Sequence, residues 1–493
     1  MADLIIPVVV SLGAVYLSLI LYNRSRPLSI PRIGPKPGFL GNTSQGYFQS
    51  HSVELVEDGY AKHKDGLYSL WTTDMDRVIV SPKFMKDFMS LPRSTVRLTA
   101  SIRHAGPYTG MDIAEDGDLQ FVVCAGQLTQ NIGRLAQPVF DEISFALQQK
   151  LASVLDVNGS FALPIFPLMI QLVTSATARV FVGSELCRNP EWLSTATGYT
   201  MDVAKVTTDL NQHYRFLHPI IAPLLASSKQ IKGRFALARK LLLPLIEARR
   251  GSSGKDHPDM MQWMIDSAKG DDGSTDKLVR RMLFLNMAAI HTTAEATTLA
   301  LMELCAQPAT VRMLREEMQE ALKDDDEISL ATLNKLKKTD SFIKESHRLN
   351  GLGLMTFNRH LVKPVHLSNG VTLPSGTYIS MSHYPIHRDP EFYPDPLKFD
   401  PLRYYNLRQK EGAADRYQFS SISSTEPAWG VGKFACPGRF WASAQIKLIL
   451  MVLLTKFNIG FPDGQTEKPA RKPAGEKLQT DFSQKMVLTK TWN

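Results

Sequence analysis

One cysteine, Cys436, sits in the stretch Trp429-Gly430-Val431-Gly432-Lys433-Phe434-Ala435-Cys436-Pro437-Gly438-Arg439-Phe440. Gly430 and Gly432 precede it by six and four residues, Pro437-Gly438 follows, and an apolar helix is predicted from about Phe440 to Lys456. Glycine permits a tight backbone and the close approach of a flat ligand. Proline just inside a helix start is well placed. The sulfur therefore lies just before a helix N-terminus, where the positive end of the helix dipole favours thiolate over thiol. A thiolate on a glycine-lined loop suits the axial position of a haem iron. A lone cysteine is more often a small buried hydrophobe, and Cys-Pro-Gly by itself leaves both readings open.

A second group of residues able to do chemistry is Ala288-Ala289-Ile290-His291-Thr292-Thr293. It falls in the middle of a helix predicted over Lys277 to Ala306. Ser274 and Thr275 can cap its start, and Pro308 lies just past its end. Leu278, Met282, Leu285, Ala289, Thr292 and Ala296 follow the three-or-four spacing of a buried stripe. Such a helix spans roughly 45 Å and must cross the whole domain. A mid-helix threonine ordinarily bonds back to the preceding turn. Histidine titrates near neutrality, so a packed imidazole and a proton relay are both open at His291.

A third group is Glu345-Ser346-His347-Arg348, on a helix predicted to begin near Asp340. A spacing of three puts Glu345 and Arg348 on one face. Alone, such a pair contributes only a few tenths of a kcal/mol and is usually surface decoration. Downstream lies Phe399-Asp400-Pro401-Leu402-Arg403-Tyr404.

In this order, the central helix, the E-x-x-R pair, the second arginine and the cysteine loop resemble the cytochrome P-450 family over essentially the whole chain. The His-Thr-Thr spelling resembles a fungal, microsomal branch. The resemblance implies a mainly α fold with a small β region, and haem b between the central helix and the cysteine loop. Cys436 would be the axial ligand of the iron, with Gly430, Gly432, Phe434, Gly438 and Ala289 around the haem. Thr292 takes the place of the threonine whose hydroxyl serves bound dioxygen. Ala289 stands where glycine is usual and His291 where an acid is usual, departures that bear on the proton route. Glu345 would bridge Arg348 and Arg403 in a structural role, since buried charges need several partners.

Haem carboxylates want cationic donors. Phe434 stands where the family often has His or Arg. The region matching its W-x-x-x-R motif, Gln127 to Arg134, has no tryptophan. The candidates are then Lys433, Arg359 and Arg134, each equally readable as an ordinary surface charge. No flavin or nicotinamide motif occurs in the chain, so electrons must come from elsewhere; the resemblance implies NADPH through a separate reductase, with cytochrome b5 as a further donor. Lys433, Arg439 and Lys447 on the cysteine face would suit its acidic flavin domain. The implied activity is haem-thiolate monooxygenation of an apolar specialised metabolite, terpenoid or alkaloid. Oxidative coupling, desaturation, reductase-independent isomerisation or dehydration, and a haem-binding carrier or sensor stay open, although Thr292 disfavours the carrier.

The 493 residues are 44% hydrophobic and 21% charged, an ordinary globular composition. The net charge of +8 is dispersed without a recognition motif, which argues against nucleic acid. Cys124, Cys187, Cys305 and Cys436 form no C-x-x-C pair, which excludes the usual zinc and thioredoxin patterns. Leu4 to Tyr22 is an apolar run of 19 residues followed by Arg24 and Arg26. It would reach roughly 28 Å, close to the bilayer core, with the main body cytosolic. The expectation is a single-pass anchor over 1–26 in the endoplasmic reticulum membrane. A proline-rich hinge over 27–38 would join it to a catalytic domain over 27–493. The apolar segment Phe216 to Leu225 suits burial in lipid beside the anchor, or internal packing.

Overall fold

A computed structural model describes residues 30–35, 42–72, 75–98, 100–154, 159–214, 217–252, 256–323, 327–462 and 464–491. The expected anchor over 1–26, most of the hinge over 27–38, and Phe216 lie outside them.

The principal helices are α1 (Asn42–His63), α2 (Ala100–Thr109), α3 (Leu119–Val123), α4 (Ile132–Ala152), α5 (Ile165–Leu186), α6 (Pro190–Asn211) and α7 (Ala226–Arg249). They continue with α8 (Met260–Ser267), α9 (Thr275–Cys305), α10 (Pro308–Leu322), α11 (Lys337–Leu349), α12 (Arg403–Arg408) and α13 (Arg439–Lys456). Strands β1 (Arg32–Ile33), β2 (Leu67–Trp71), β3 (Asp76–Val80), β4 (Val96–Arg97), β6 (Thr356–Leu361) and β7 (Tyr378–Met381) form one sheet in the order β1-β2-β3-β7-β6-β4. Strand β5 (Ser160–Pro164), β8 (Phe457–Gly460) and β9 (Lys485–Lys490) form a second, with β9 central. The fold is mainly helical with a small β region.

The central helix α9 is the length the sequence predicts, one or two residues earlier at each end. Ser274 occupies the N-cap in extended conformation without a side-chain capping bond. Pro308 does more than stop α9: it opens α10 at its first turn, where its missing N–H costs nothing. Helix α9 packs on α5, α6, α7 and α11 and touches α13 and β8. Most of its residues from Leu278 to Cys305 are buried.

Helix α5 is the one described helix long and apolar enough to cross a membrane, and 72% of its apolar window is buried inside the protein. It is a core helix here. The large apolar cluster joins α4, α5, α6, α9 and α13. A smaller cluster lies in the β region and includes Phe88, Phe357, Val431 and Phe434, so the cysteine loop is seated on the sheet side.

Candidate active site

The cysteine loop is shaped by glycines that nothing else could replace cheaply. Gly430 has φ +79°, and a Cβ there would lie 3.2 Å from the Phe434 carbonyl oxygen. Gly432 has φ +54°, and a Cβ would meet Met89 at 3.0 Å. The Cys436 N–H donates to the Trp429 carbonyl at 2.7 Å and closes the loop. Trp429 Nε1 in turn donates to the Phe419 carbonyl at 2.8 Å. Pro437-Gly438 then leads into α13 at Arg439.

Cys436 is half-buried. Burial pushes its thiol up, opposed by the N–H groups of Gly438 and Arg439 and by the Arg439 guanidinium. The helix start therefore acts in the direction expected, but burial outweighs it in the protein alone. A cation bonded to the sulfur would reverse that balance.

Cys436 lines a cavity of ≈ 640 Å³ with Gly430, Phe434, Arg359, Arg93 and Arg97. That volume is in the range of cofactor sites. Arg359 is the informative wall. It donates to the carbonyls of Asn358 at 2.7 Å and Phe434 at 2.9 Å. Its Nε is buried without a partner. Burial and the nearby charge of Arg93 pull its pKa down to about 10, so it stays cationic at neutral pH. A buried cation with an unused donor calls for an anion. Arg93 and Arg97 line the same cavity, held by Asp118 at 2.7 Å and Glu115 at 3.6 Å. A thiol, a glycine wall and three guanidiniums fit a flat iron chelate bearing carboxylates.

Of the expected cations, Arg359 lines the cavity; Arg93 and Arg97 line it too and were not expected, because nothing in a turn followed by a two-residue strand singles them out. Two other expected donors lie outside this lining. Lys433 is exposed and donates to the Ser90 carbonyl at 2.7 Å, and it does not line the cavity. Arg134 is exposed near the start of α4 and does not line it either. Gly432 and Gly438 lie outside the lining too. Gly432 instead packs on Met89, and a Cβ at Gly438 would meet nothing within 4 Å.

Ala289, His291 and Thr292 are not part of that lining. They belong to a separate accessible face of α9. Ala288 and Thr292 are exposed, and Ala289 and Ala296 half-buried, on a helix otherwise sunk in the core. Their spacing puts them on one side. Thr292 Oγ1 donates to the Ala288 carbonyl at 2.6 Å. His291 Nε2 lies 3.1 Å from the Thr197 carbonyl oxygen of α6.

Beside the loop, Glu345 is completely buried and receives Arg348 Nε and Nη2, both at 2.8 Å. Arg403 Nε reaches the same carboxylate at 3.1 Å. Arg348 also donates to the carbonyls of His387 and Pro396, both at 2.6 Å. Lys447 departs from expectation: it is buried and paired with Asp340 at 2.7 Å, so it offers no charge to a partner. Arg439 is half-buried, donating to Ser420 and Cys436 carbonyls. Of the three cations expected on the cysteine face, Lys433 alone is exposed.

The family described as Cytochrome P450 matches residues 122–482. The chain belongs to the cytochrome P450 family. It is 33% identical to cytochrome P450 monooxygenase AN1598 of Emericella nidulans, over 97% of this chain and 90% of that protein. It is 34% identical to an ent-kaurene oxidase of Gibberella intermedia, over 83% of this chain and 78% of that one. It is also 34% identical to cytochrome P450 monooxygenase janP of Penicillium janthinellum, over 91% and 87%. The protein is a P450 monooxygenase, an oxidoreductase whose family carries haem and receives electrons from a redox partner.

Proposed function

We propose that this P450 oxidises an apolar specialised metabolite, terpenoid or alkaloid, drawing electrons from NADPH through a separate P450 reductase. The name of the ent-kaurene oxidase relative and the fungal monooxygenases around it support that substrate class. The observation that carries the site is Cys436 on a glycine-shaped loop facing the same cavity as the unpartnered Arg359 Nε. Cys436 Sγ would bind the iron, and Arg359, Arg93 and Arg97 would hold the haem carboxylates. Arg93 and Arg97 must then trade or share Asp118 and Glu115. Bound there, the haem supplies the redox centre at which dioxygen is reductively activated.

The chain's own residues do the rest. Gly430 and Phe434 wall the cofactor. Ala288 and Ala289 keep the face of α9 low, so that a flat group and a substrate can lie against it. The Thr292 hydroxyl holds its proton toward the Ala288 carbonyl and keeps its lone pairs free to accept a bond. Glu345, Arg348 and Arg403 hold the chain around the loop without touching substrate. Leu4 to Tyr22 would anchor the enzyme to the endoplasmic reticulum with the catalytic part cytosolic. The exposed Ile220 and Leu224 beside α6 and α7 would dip into the same bilayer and admit an apolar substrate. Lys433 remains for docking of the reductase, with cytochrome b5 as a possible second donor.

The test is turnover of a library of apolar terpenoids and alkaloids with purified reductase, NADPH and isotopically heavy dioxygen. One heavy oxygen atom in the product, dependent on NADPH, is expected. Product formed from a hydroperoxide without reductase, and none from reductase, NADPH and dioxygen, would overturn the reading. Coupled or desaturated product lacking heavy oxygen would replace hydroxylation while leaving the haem site in place.

A further inference from the structure

We propose that His291 is a positioning residue, a clasp between α9 and α6, and not a carrier of protons. The acceptor decides this. A backbone carbonyl can only accept, so the Nε2 facing the Thr197 oxygen at 3.1 Å bears the hydrogen. A relay through an imidazole takes a proton at one nitrogen and releases it at the other. Here the nitrogen that would release it points at an amide oxygen, so a wire in at one nitrogen and out at the other ends there. Nδ1 is then the one atom left to exchange a proton, and among the described residues it has no hydrogen-bond partner to draw one from.

The same bond does mechanical work. Helix α6 ends at Asn211, shortly before the segment His218–Leu224 in which Ile220 and Leu224 are exposed. It is held on its other sides by Tyr199, whose hydroxyl donates to the Thr109 carbonyl of α2 at 2.6 Å. Gln230 of α7 donates to Asp202 at 2.7 Å, and Arg234 pairs with the same carboxylate. Thr174 of α5 and Thr197 share a hydroxyl contact at 3.2 Å. Among the described residues, His291 supplies the one side-chain hydrogen bond from α9 to α6, and it does so next to Thr292 in the chain. The position of α6 beside α9 is thereby tied to the turn that carries Thr292.

This inference rests on reading that face as the oxygen side, so the experiment has an arm that needs no turnover. Three full-length holoenzymes are compared: the parent, His291→Gln and His291→Ala. Glutamine keeps an N–H donor and cannot pass a proton through a ring. Hydrogen exchange of the α6 amides around Thr197 should quicken about five- to ten-fold in His291→Ala, the scale of one buried hydrogen bond. It should return to within about two-fold of the parent in His291→Gln. The solvent deuterium isotope effect on reductase-driven NADPH oxidation should be the same in all three. Failure of glutamine to restore protection overturns the proposal. So does an isotope effect that rises alike in both variants, the signature of a lost relay. Absence of any NADPH oxidation would contradict the monooxygenase reading, and the exchange result would still judge the clasp.

Discussion

The surroundings of the cysteine loop and the accessible face of α9 are built in opposite ways. Beside the cysteine loop, charge is buried and paired: Glu345 with Arg348 and Arg403, Lys344 with Glu426 at 2.7 Å, Lys447 with Asp340. His347 fills the space between, edge-on to Phe419 and tilted against Trp429, each at 5.4 Å between ring centres. The accessible face of α9 shows alanines, one threonine and one side-chain bond to α6. The first region cannot shift without stranding a charge. The second offers a low, apolar surface with few fixed donors. A metal ligand must be held to within a fraction of an ångström, whereas an apolar substrate is recognised chiefly by shape.

The contrast can be broken first at the carboxylate. Glu345→Ala should cost about 3–5 kcal/mol, because two buried arginines lose their shared partner. Urea unfolding and haem content of the purified protein would both fall. A loss below about 1 kcal/mol would mean that the carbonyl contacts of Arg348 and Arg403 suffice.

Acid should attack the same side. Burial lowers the pKa of His347 to about 4 and of His383 to about 3, and it lowers His387 as well. Below about pH 6.5 the unfolded chain binds protons that the folded chain excludes, so stability falls as pH drops from about 6.5 toward 4. His347 alone should contribute roughly 3 kcal/mol to that loss. His347→Phe should flatten the urea midpoint between pH 6.5 and 4, and an unchanged slope would count against a buried neutral ring.

Arg359→Leu should have effects of opposite sign. Removing a buried cation with an unused donor stabilises the haem-free protein by about 1–2 kcal/mol. Haem loss to an excess of acceptor protein should quicken about ten-fold, since one charge-assisted contact is gone. Loss of stability without faster haem release would remove Arg359 from the cavity's anion site.

Thr292→Ala should touch only the open side. Unfolding stability should stay within about 1 kcal/mol of the parent. Product per NADPH should fall about ten-fold while hydrogen peroxide rises, the scale of one lost hydrogen bond. Tightly coupled turnover in this variant would leave the threonine as no more than a back-bonded helix residue.

The elements were legible in the sequence where a short-range rule governs them. The apolar stripe located α9, and the spacing of three put Glu345 and Arg348 on one face. The glycines at 430 and 432 announced a tight loop, and both have positive φ. Long-range partners were harder to read. Arg403 lies 58 residues beyond Glu345 and entered only through the family pattern. Arg93 and Arg97 come to the cavity through strand β4 pairing with β6, a contact that no local signal encodes. A π-helical turn over Cys124–Leu128 runs into the start of the segment Gln127 to Arg134, expected to supply a haem cation, and shifts the helical register before Arg134. Lys447 looked like a surface charge because a lysine on an apolar helix ordinarily is one. Its partner Asp340 is more than a hundred residues away.

The central claim is that Cys436 sulfur holds the iron of a haem in this cavity. The most direct measurement is the absorption spectrum of the dithionite-reduced carbon monoxide complex, taken on the purified parent and on Cys436→Ser. The parent should show the strongly red-shifted Soret band of thiolate ligation, and the variant should lose it even where it retains porphyrin. The same red-shifted band in both proteins, or a nitrogen-ligated spectrum in the parent, would contradict the account.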